Sequence, residues 1–244
     1  TVFCDPARRT GAGRSWNVAD FSPPWDFVTG LLGREEGACL KLGPGLPHRL
    51  LPERTITEWV THRGEVVEAS IWSASLAAAW GGGLAAGRSL DRRPGRAALL
   101  LPAGDRLVVD PAAPAPPVSE PAAYVHEPDP GVLAAGAVPT LAHATGARRL
   151  HPEIAYLTTD TGCPSPFWTS FEVLDSFGWR EKDLRGWVRD ERIGTLEIKK
   201  RGIEVDPAAL RRRLRPAGPH AATIIITPTL TSARVLVVRR AEAP

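Results

Sequence analysis

The chain has 244 residues, of which 43% are hydrophobic and 23% charged, and its formal net charge is +3. This length suits about two domains, and the composition is that of a globular chain that buries a core. No apolar run reaches the ~18 residues that cross a bilayer. A net charge this small does not by itself indicate a nucleic-acid partner.

The sequence starts inside a strand-like stretch and contains no Met, so we expect it to be the back part of a longer protein. The three cysteines (Cys4, Cys39, Cys163) are scattered and lack metal-type spacing. This pattern predicts free thiols in a reducing, cytoplasmic setting. The six histidines show no ligand spacing either, so we expect no metal site.

Residues 1–110 are predicted to alternate strands and helices, which favours a mainly parallel sheet covered by helices. One long or bent strand is predicted over Glu58–Trp72, around Arg63-Gly64, and the stretch Trp80–Arg93 is predicted to be a loop or a weak helix. A helical stretch is predicted near Trp25–Leu32. The remaining predicted strands are Thr1–Cys4, Ala38–Leu42, Ala97–Leu101 and Arg106–Val109.

A Pro/Ala-rich linker, stiff and extended, is predicted at residues 111–121. Residues 122–166 are predicted to form a helical connecting segment. Residues 167–244 predict the order βαβαββ, a small α+β sandwich in which a sheet packs against two helices. Those two helices are Glu181–Asp190 and the stretch that follows the N-cap Asp206.

The segment Asp5-Pro6-Ala7-Arg8-Arg9 is the main candidate for chemistry. A strand that ends in Asp-Pro places a carboxylate and a rigid turn at the carboxyl edge of a parallel sheet, where such folds bind ligands. The Asp5 carboxylate can accept a proton or a hydrogen bond there. The alternative is that Asp-Pro simply terminates a strand.

Lys41 lies between Leu40 and Leu42 in a strand that otherwise reads as core. A lysine in that position must reach the sheet edge or pair with a carboxylate. Two roles therefore stay open: contact with a substrate phosphate, or a structural pair with an acid such as Glu68.

Residues 167–244 hold 15 Lys and Arg against 10 Asp and Glu, a net charge of +5, so residues 1–166 carry −2. This asymmetry predicts that the C-terminal part contacts phosphates, with a solvated helix face as the alternative. Trp168 and Trp179 are candidates for stacking on a base, whereas Trp187 is expected to pack in the core. The predicted contacts are Arg8, Arg9, Lys41, Lys199, Lys200, Arg201, Arg211, Arg212 and Arg213.

Asp5-Pro6-Ala7-Arg8-Arg9, followed by the segment 39–45, resembles the second half of a class I S-adenosylmethionine-dependent methyltransferase. The segments 124–130, 154–158 and 194–202 resemble bacterial methyltransferases with a THUMP-like C-terminal domain. The resemblance implies the C-terminal half of a Rossmann-like methyltransferase sheet, with S-adenosylmethionine as cofactor. It also implies that Asp5 and Pro6 are catalytic and that the C-terminal module binds ribosomal or transfer RNA.

The sequence departs from this family in two places. The Gly-rich loop and the acidic residue that hold the cofactor are not found, so we expect this chain alone to bind the cofactor poorly and to be inactive. Ala7-Arg8 replaces a Pro-aromatic pair, so the target atom stays open among ring nitrogen, exocyclic amine, carbon and ribose. Carbon-5 methylation would need a Cys nucleophile, for which Cys163 is the one candidate in a loop.

Two further hypotheses come from other functional classes. The first is a non-catalytic RNA-binding protein with a degenerate methyltransferase scaffold. The second is an unrelated nucleotide-binding enzyme, which would use a different Gly-rich loop.

Overall fold

The computed structural model describes residues 1–7, 9–10, 13–14, 17–77 and 95–241, with no side chains described at 9–10 and 13–14. The predictions for Trp80–Arg93 and for Arg8 lie outside these residues. The chain divides into two compact units. The N-terminal unit comprises residues 1–113 and 129–140, and the C-terminal unit comprises residues 114–128 and 141–244.

The N-terminal unit is built on a six-stranded sheet of order β1-β4-β6-β5-β7-β8, with a separate β2-β3 ribbon. Its strands are β1 Val2–Cys4, β2 Arg9–Thr10, β3 Gly13–Arg14, β4 Ala38–Leu42, β5 Thr55–His62, β6 Glu65–Ser73, β7 Gly95–Leu101 and β8 Asp105–Val108. Its α-helices are α1 Trp25–Gly30, α2 Ala74–Ala77 and α3 Pro130–Ala135, and its 3-10 helices are Val18–Asp20, Leu31–Gly33 and His48–Leu50. The helix α4 Val138–Thr145 begins in this unit and ends in the other.

The prediction of a mainly parallel sheet is wrong, because among the described strands of this unit only the β1/β4 and β5/β7 pairs are parallel. The cause is a hairpin: the stretch predicted as one bent strand is the antiparallel pair β5 and β6. Its turn residues, Arg63 and Gly64, have φ values of 53° and 81°. Positive φ at both central residues matches the twist of the flanking strands, but Arg is not a favoured residue there.

The helix α3 packs against β5, β6 and β7 of this sheet. Gly131 permits a close approach, because a Cβ added there would lie 2.4 Å from Thr61 Oγ1. Asp129 caps the helix by accepting hydrogen bonds from the Gly131 backbone N–H at 2.7 Å and from Thr61 Oγ1 at 2.6 Å. Helix α3 therefore begins directly after Asp129, and the cap fixes it to the sheet.

The C-terminal unit is built on a seven-stranded sheet of order β10-β11-β9-β12-β15-β14-β13, antiparallel except for the β13/β14 pair. Its strands are β9 Tyr124–Pro128, β10 Arg148–His151, β11 Ile154–Thr159, β12 Trp168–Gly178, β13 Ile193–Lys200, β14 His220–Pro228 and β15 Ala233–Arg240. Its helices are α5 Glu181–Asp190 and α6 Pro207–Leu214. From β12 onward the order is βαβαββ, so that prediction is confirmed.

The prediction of a helical connecting segment at residues 122–166 is wrong in part. The segment holds α3 and α4, but it also holds β9, β10 and β11, which join the C-terminal sheet beside β12. The predicted linker is not free either, because the backbones of Pro117 and Ser119 bond to Arg149 in β10. These pairings lie far apart in sequence, which local helical periodicity does not report.

The C-terminal sheet is strongly curled. Lys199 Nζ in β13 lies 2.9 Å from Glu127 Oε2 in β9, although three strands separate β13 from β9. In a flat sheet four strand spacings would put them roughly 19 Å apart. One buried apolar cluster lies inside the curl and includes Val125, Phe171 and Ile225. A second cluster on the other face packs against α5 and α6 through Leu184 and other buried residues.

Candidate functional site

The Asp5-Pro6 segment follows the carboxyl end of β1, as the sequence predicts. The strand pairs in parallel with β4, with Cys4 opposite Leu40. Pro6 is buried, whereas the Asp5 side chain is 56% exposed. The next residue, Ala7, exchanges two backbone hydrogen bonds with Ser22, at 2.9 and 2.8 Å. The backbone on both sides of Asp5 is thus anchored while its carboxylate faces solvent.

Lys41 is the neighbour of this carboxylate. Its Nζ lies 3.1 Å from Asp5 Oδ2, and 42% of the lysine side chain is exposed. The partner is therefore Asp5 and not Glu68, which instead accepts a hydrogen bond from Ser70 at 2.8 Å. An ion pair this exposed stabilises a protein by only about 0–1 kcal/mol. Another hydrogen-bonding or charged group can therefore replace either partner at little cost.

Further polar groups lie across the sheet at the level of Lys41. Ser70 in β6 is opposite both Lys41 in β4 and Glu58 in β5. Glu58 is buried and accepts a 2.6 Å hydrogen bond from Arg106 Nε. Directly paired residues share one face of a sheet. Lys41, Ser70 and Glu58 therefore lie on the same face, in a polar row that starts at the strand beside Asp5.

Two of the cysteines are unsuited to nucleophilic chemistry. Burial raises the pKa of the Cys39 thiol to about 11, with the charges of Glu68 and Glu58 adding to the effect. Burial, and then the charge of Asp5, also raises the pKa of Cys4. Both side chains are thus neutral thiols at neutral pH, and the thiol is a poor nucleophile. Cys163 is partly exposed and is not in a disulfide.

The three basic residues at positions 199–201 have different surroundings. Lys199 faces the inside of the curl, where it pairs with Glu127 and lies 5.4 Å from the Phe171 ring centre. Arg201 lies over the ring of Tyr156, whose hydroxyl donates to Glu127 Oε1 at 3.4 Å. Burial, and then the Glu127 charge, raises the pKa of Tyr156 well above its ordinary value.

Lys200 is exposed and has no hydrogen bond or ion pair with the described residues, so it is the unpaired cation of this run. The neighbouring Lys199 and Arg201 contact other side chains of the protein. The structure therefore leaves one of the three predicted contacts fully open to solvent.

The three arginines of α6 also differ from one another. Arg211 Nε donates to the Leu196 carbonyl at 2.8 Å. Arg213 donates to both carboxylate oxygens of Glu181 in α5, at 2.9 to 3.1 Å. This hydrogen bonding lowers the pKa of Glu181 and raises that of Arg213. Arg212 is exposed and has no partner within the described ranges.

Trp168 does not have the role expected of it. It is only 7% exposed, and its ring stacks on His126 with 4.1 Å between centroids. It therefore cannot stack on a base, which corrects the prediction. Trp179 is partly buried against the helix-side cluster, and Trp187 packs there as predicted.

His126 is fully buried and bonds to Ser170 Oγ at 2.9 Å and to Thr159 Oγ1 at 2.8 Å. Burial lowers its pKa to about 4, so the ring is neutral at neutral pH.

A group of arginines, none of them among the predicted contacts, lines a cleft of about 580 Å³ on the C-terminal unit. Arg185 and Arg189 come from one face of α5, and Arg192 follows the helix. Arg215, which caps α6, completes the set. The i, i+4 spacing of the first two was a readable signal of a shared face. Arg192 and Arg215 come near each other only because two loops pack together, and this could not be predicted from the sequence.

The remaining predictions concern the start of the chain, metals and membranes. Arg8 lies outside the described residues, and Arg9 is placed only by the backbone pairing of β2 with β3. No group of three or more His, Cys, Asp or Glu converges to hold a metal within the part of the chain that the structure describes. No described helix is long and apolar enough to cross a membrane.

Comparison with known proteins gives two sequence findings. Residues 168–240 match the family described as THUMP domain-like, a span that begins with β12 and ends with β15. The chain is also 35% identical over 233 residues to two Mycobacterium tuberculosis proteins, from strains CDC 1551 / Oshkosh and ATCC 25618 / H37Rv. Both are described as uncharacterized S-adenosylmethionine-dependent methyltransferases. The alignment covers 93% of this chain and 59% of each relative.

The fold is similar to that in the crystal structure of a candidate methyltransferase from Porphyromonas gingivalis W83. The TM-score is 0.76 at 23% sequence identity, over 98% of this chain and 59% of that one. At this identity the likeness concerns the fold, and it confirms the predicted fold class. The chain spans about three fifths of the length of the relatives it matches.

Proposed function

Because the chain is a relative of S-adenosylmethionine-dependent methyltransferases and carries a THUMP-like domain at residues 168–240, we propose that the protein methylates RNA. The observation that carries this proposal is the exposed Asp5 carboxylate at the end of a parallel strand, held 3.1 Å from Lys41. Ligands of open α/β sheets bind beyond the carboxyl ends of their strands.

The residues present fit one border of a site for S-adenosylmethionine and its target. The cofactor supplies an electrophilic methyl group on a positively charged sulfur. Asp5 adds an accessible negative charge at this edge, and buried Pro6 holds the backbone that carries it. The residues that would hold the rest of the cofactor are not assigned among those described.

Asp5 would orient the target by accepting a hydrogen bond from it, and Lys41 would hold the carboxylate in place or contact a nearby phosphate. Most of the rate enhancement would come from positioning, which well-oriented groups supply without covalent chemistry. The raised thiol pKa values of Cys4 and Cys39 support a route without a cysteine nucleophile at those two positions. The target atom stays open among nitrogen, carbon and ribose.

The C-terminal unit would hold the RNA. Support comes from the THUMP-like match and from the net charge of +5 on residues 167–244. Three free cysteines among the described residues agree with a reducing, cytoplasmic setting.

The test is methyl transfer from isotopically labelled S-adenosylmethionine to total RNA by the complete gene product, with Asp5→Ala and the matched control Asp26→Ala. Asp26 is an exposed acid in the first turn of α1 and has no part in the proposed site. We expect Asp5→Ala to lower the transfer rate by about 100-fold, the lower range for a positioned acid–base group. RNA affinity should not change, because Asp5 lies in the other unit.

An Asp5→Ala protein with the wild-type rate would remove Asp5 from the mechanism. A wild-type protein that binds RNA but transfers no methyl group would favour the non-catalytic RNA-binding alternative.

A further inference from the structure

The arginine cleft of the C-terminal unit lies where α5 and α6 both end. It is formed by Arg185, Arg189, Arg192 and Arg215, and no acidic residue is among its lining residues. Val188 and Leu214, which belong to the helix-side apolar cluster, form part of its wall. The cleft thus combines several cations with an apolar surface.

The charge of the cleft is positive after its ion pairs are taken into account. Arg185 pairs with Glu181 at 3.0 Å, and Arg189 pairs with Asp190 at 2.8 Å. Arg192 and Arg215 are exposed and have no ion pair with any residue that the structure describes. Each helix end contributes about half a negative charge. The four positive charges of the guanidinium groups exceed the summed negative charge of the two helix ends and the two carboxylates.

The backbone of the two unpaired arginines is unusual. Arg192 has φ 53° and Arg215 has φ 51°, in the left-handed region where glycine is favoured. Among the described residues four non-glycine residues have positive φ, all of them arginines, and two of the four line this cleft. Glycine would be less strained at a helix end. The presence of arginine there therefore points to a function of its side chain.

The frame of the cleft is rigid. A Cβ added to Gly218 would lie 1.6 Å from the Arg192 carbonyl oxygen, and one added to Gly194 would lie 1.7 Å from the Gly218 oxygen. The Gly218 N–H donates to the Ile193 carbonyl at 3.1 Å, and the His220 N–H donates to the Arg192 carbonyl at 3.2 Å. The loop after α5 and the loop after α6 therefore pack backbone against backbone, which fixes the separation of their arginines.

We propose that this arginine cleft binds the phosphate backbone of RNA. Guanidinium groups bind phosphate oxygens through two parallel hydrogen bonds, and they are less strongly hydrated than ammonium groups. The apolar wall would contact ribose or base faces. The assignment rests on the proposed function, and it places the main RNA contact on the unpaired Arg192 and Arg215 in place of Arg211 and Arg213, which bond to protein groups.

The test is binding of a short, labelled single-stranded RNA to the full chain, measured by fluorescence anisotropy over a series of salt concentrations. The variant is Arg192→Gly with Arg215→Gly, which removes two unpaired cations and relieves two left-handed side chains. We expect its affinity to fall at least tenfold and its salt slope to shrink by about 1.4, which is about 0.7 for each lost phosphate contact. Its melting temperature should stay equal or rise.

Arg63→Gly is the control, because it removes one arginine charge from the same left-handed backbone conformation in the β5–β6 turn. We expect its RNA affinity and salt slope to equal those of the wild type. A double variant that binds RNA as the wild type does would overturn the cleft and leave the proposed function in place.

Two other outcomes also decide between the proposals. A wild-type chain that binds no RNA at low salt would overturn both the cleft and the RNA target. Equal loss of binding to RNA and to polyglutamate would show general attraction of polyanions and would overturn RNA as the specific occupant.

Discussion

Two lysine–carboxylate pairs, one in each unit, look alike in distance and differ in surroundings. Lys41 lies 3.1 Å from Asp5, and Lys199 lies 2.9 Å from Glu127. In the first pair 42% of the lysine side chain and 56% of the aspartate side chain are exposed. In the second pair the values are 29% for the lysine and 26% for the glutamate. Both lysines lie within strands that also carry buried apolar residues.

The difference in burial separates a pair that is open to solvent from a pair that holds strands of the sheet together. Water screens the first pair, so a ligand can replace either partner at low cost. The second pair joins two strands of a curled sheet and shares Glu127 with the Tyr156 hydroxyl. Removing one of its partners would leave a partly buried charge without compensation.

The largest effect on stability that we expect near the buried pair comes from His126, which precedes Glu127 in the chain. Burial lowers its pKa to about 4 from an ordinary value of 6.5. Between these pH values the unfolded chain binds a proton that the folded chain excludes, so stability falls as the pH falls. The loss should reach about 3 kcal/mol at pH 4 and should fade to nothing as the pH rises above 6.5.

The measurement is urea unfolding of the wild type and His126→Gln from neutral pH to pH 4. His126→Gln should lack this component of the acid dependence. His143→Gln, at an exposed position in α4, should keep the wild-type dependence. Parallel pH curves for the wild type and His126→Gln would show that the histidine is not excluded from protonation in the fold.

Glu127→Gln should have the next largest effect. It leaves Lys199 without its carboxylate in a setting where about 70% of that side chain is covered. We expect a loss of about 2 kcal/mol, less than the 3–5 kcal/mol for a fully buried pair. Hydrogen exchange of the β9 and β12 amides would report it locally, because the chain has two units and need not unfold in one step.

Glu172→Gln is the matched control for Glu127→Gln. Glu172 pairs with Arg239 on the same sheet, but that arginine is 67% exposed. Its removal should change exchange little. If the two variants accelerate exchange equally, burial is not what separates the two kinds of pair.

Local signals predicted the fold where neighbours in sequence determine it. The Asp206 cap, the α5 periodicity and the alternation of β13 give the βαβαββ order without any long-range information. The hairpin at Arg63-Gly64 was missed because Arg is a rare turn residue there. The curl of the sheet was missed because Lys199 and Glu127 are 72 residues apart in sequence.

The candidate site shows the same division. Asp5 was predicted from the residues around it, and its position at the end of β1 depends only on the adjacent strand. Its partner, Lys41, was predicted either to contact a substrate phosphate or to pair with an acid such as Glu68, and the sequence did not indicate Asp5. The burial of Trp168 depends on His126, 42 residues earlier, so its candidacy for base stacking could not be rejected from sequence. Pairings of this kind are set by tertiary contacts, which propensity does not encode.

The smallest effect on stability that we expect comes from the exposed pair. Asp5→Asn and Lys41→Met should each change the free energy of unfolding by less than about 0.5 kcal/mol, since exposed pairs contribute about 0–1 kcal/mol. Thermal unfolding of both variants beside the wild type measures this. If Asp5→Asn instead costs as much as Glu127→Gln, the carboxylate serves to end and anchor β1, and Asp-Pro is a strand terminator. A stable Asp5→Asn protein that has lost methyl transfer would place the role of the carboxylate in binding or reaction, because the fold does not depend on it.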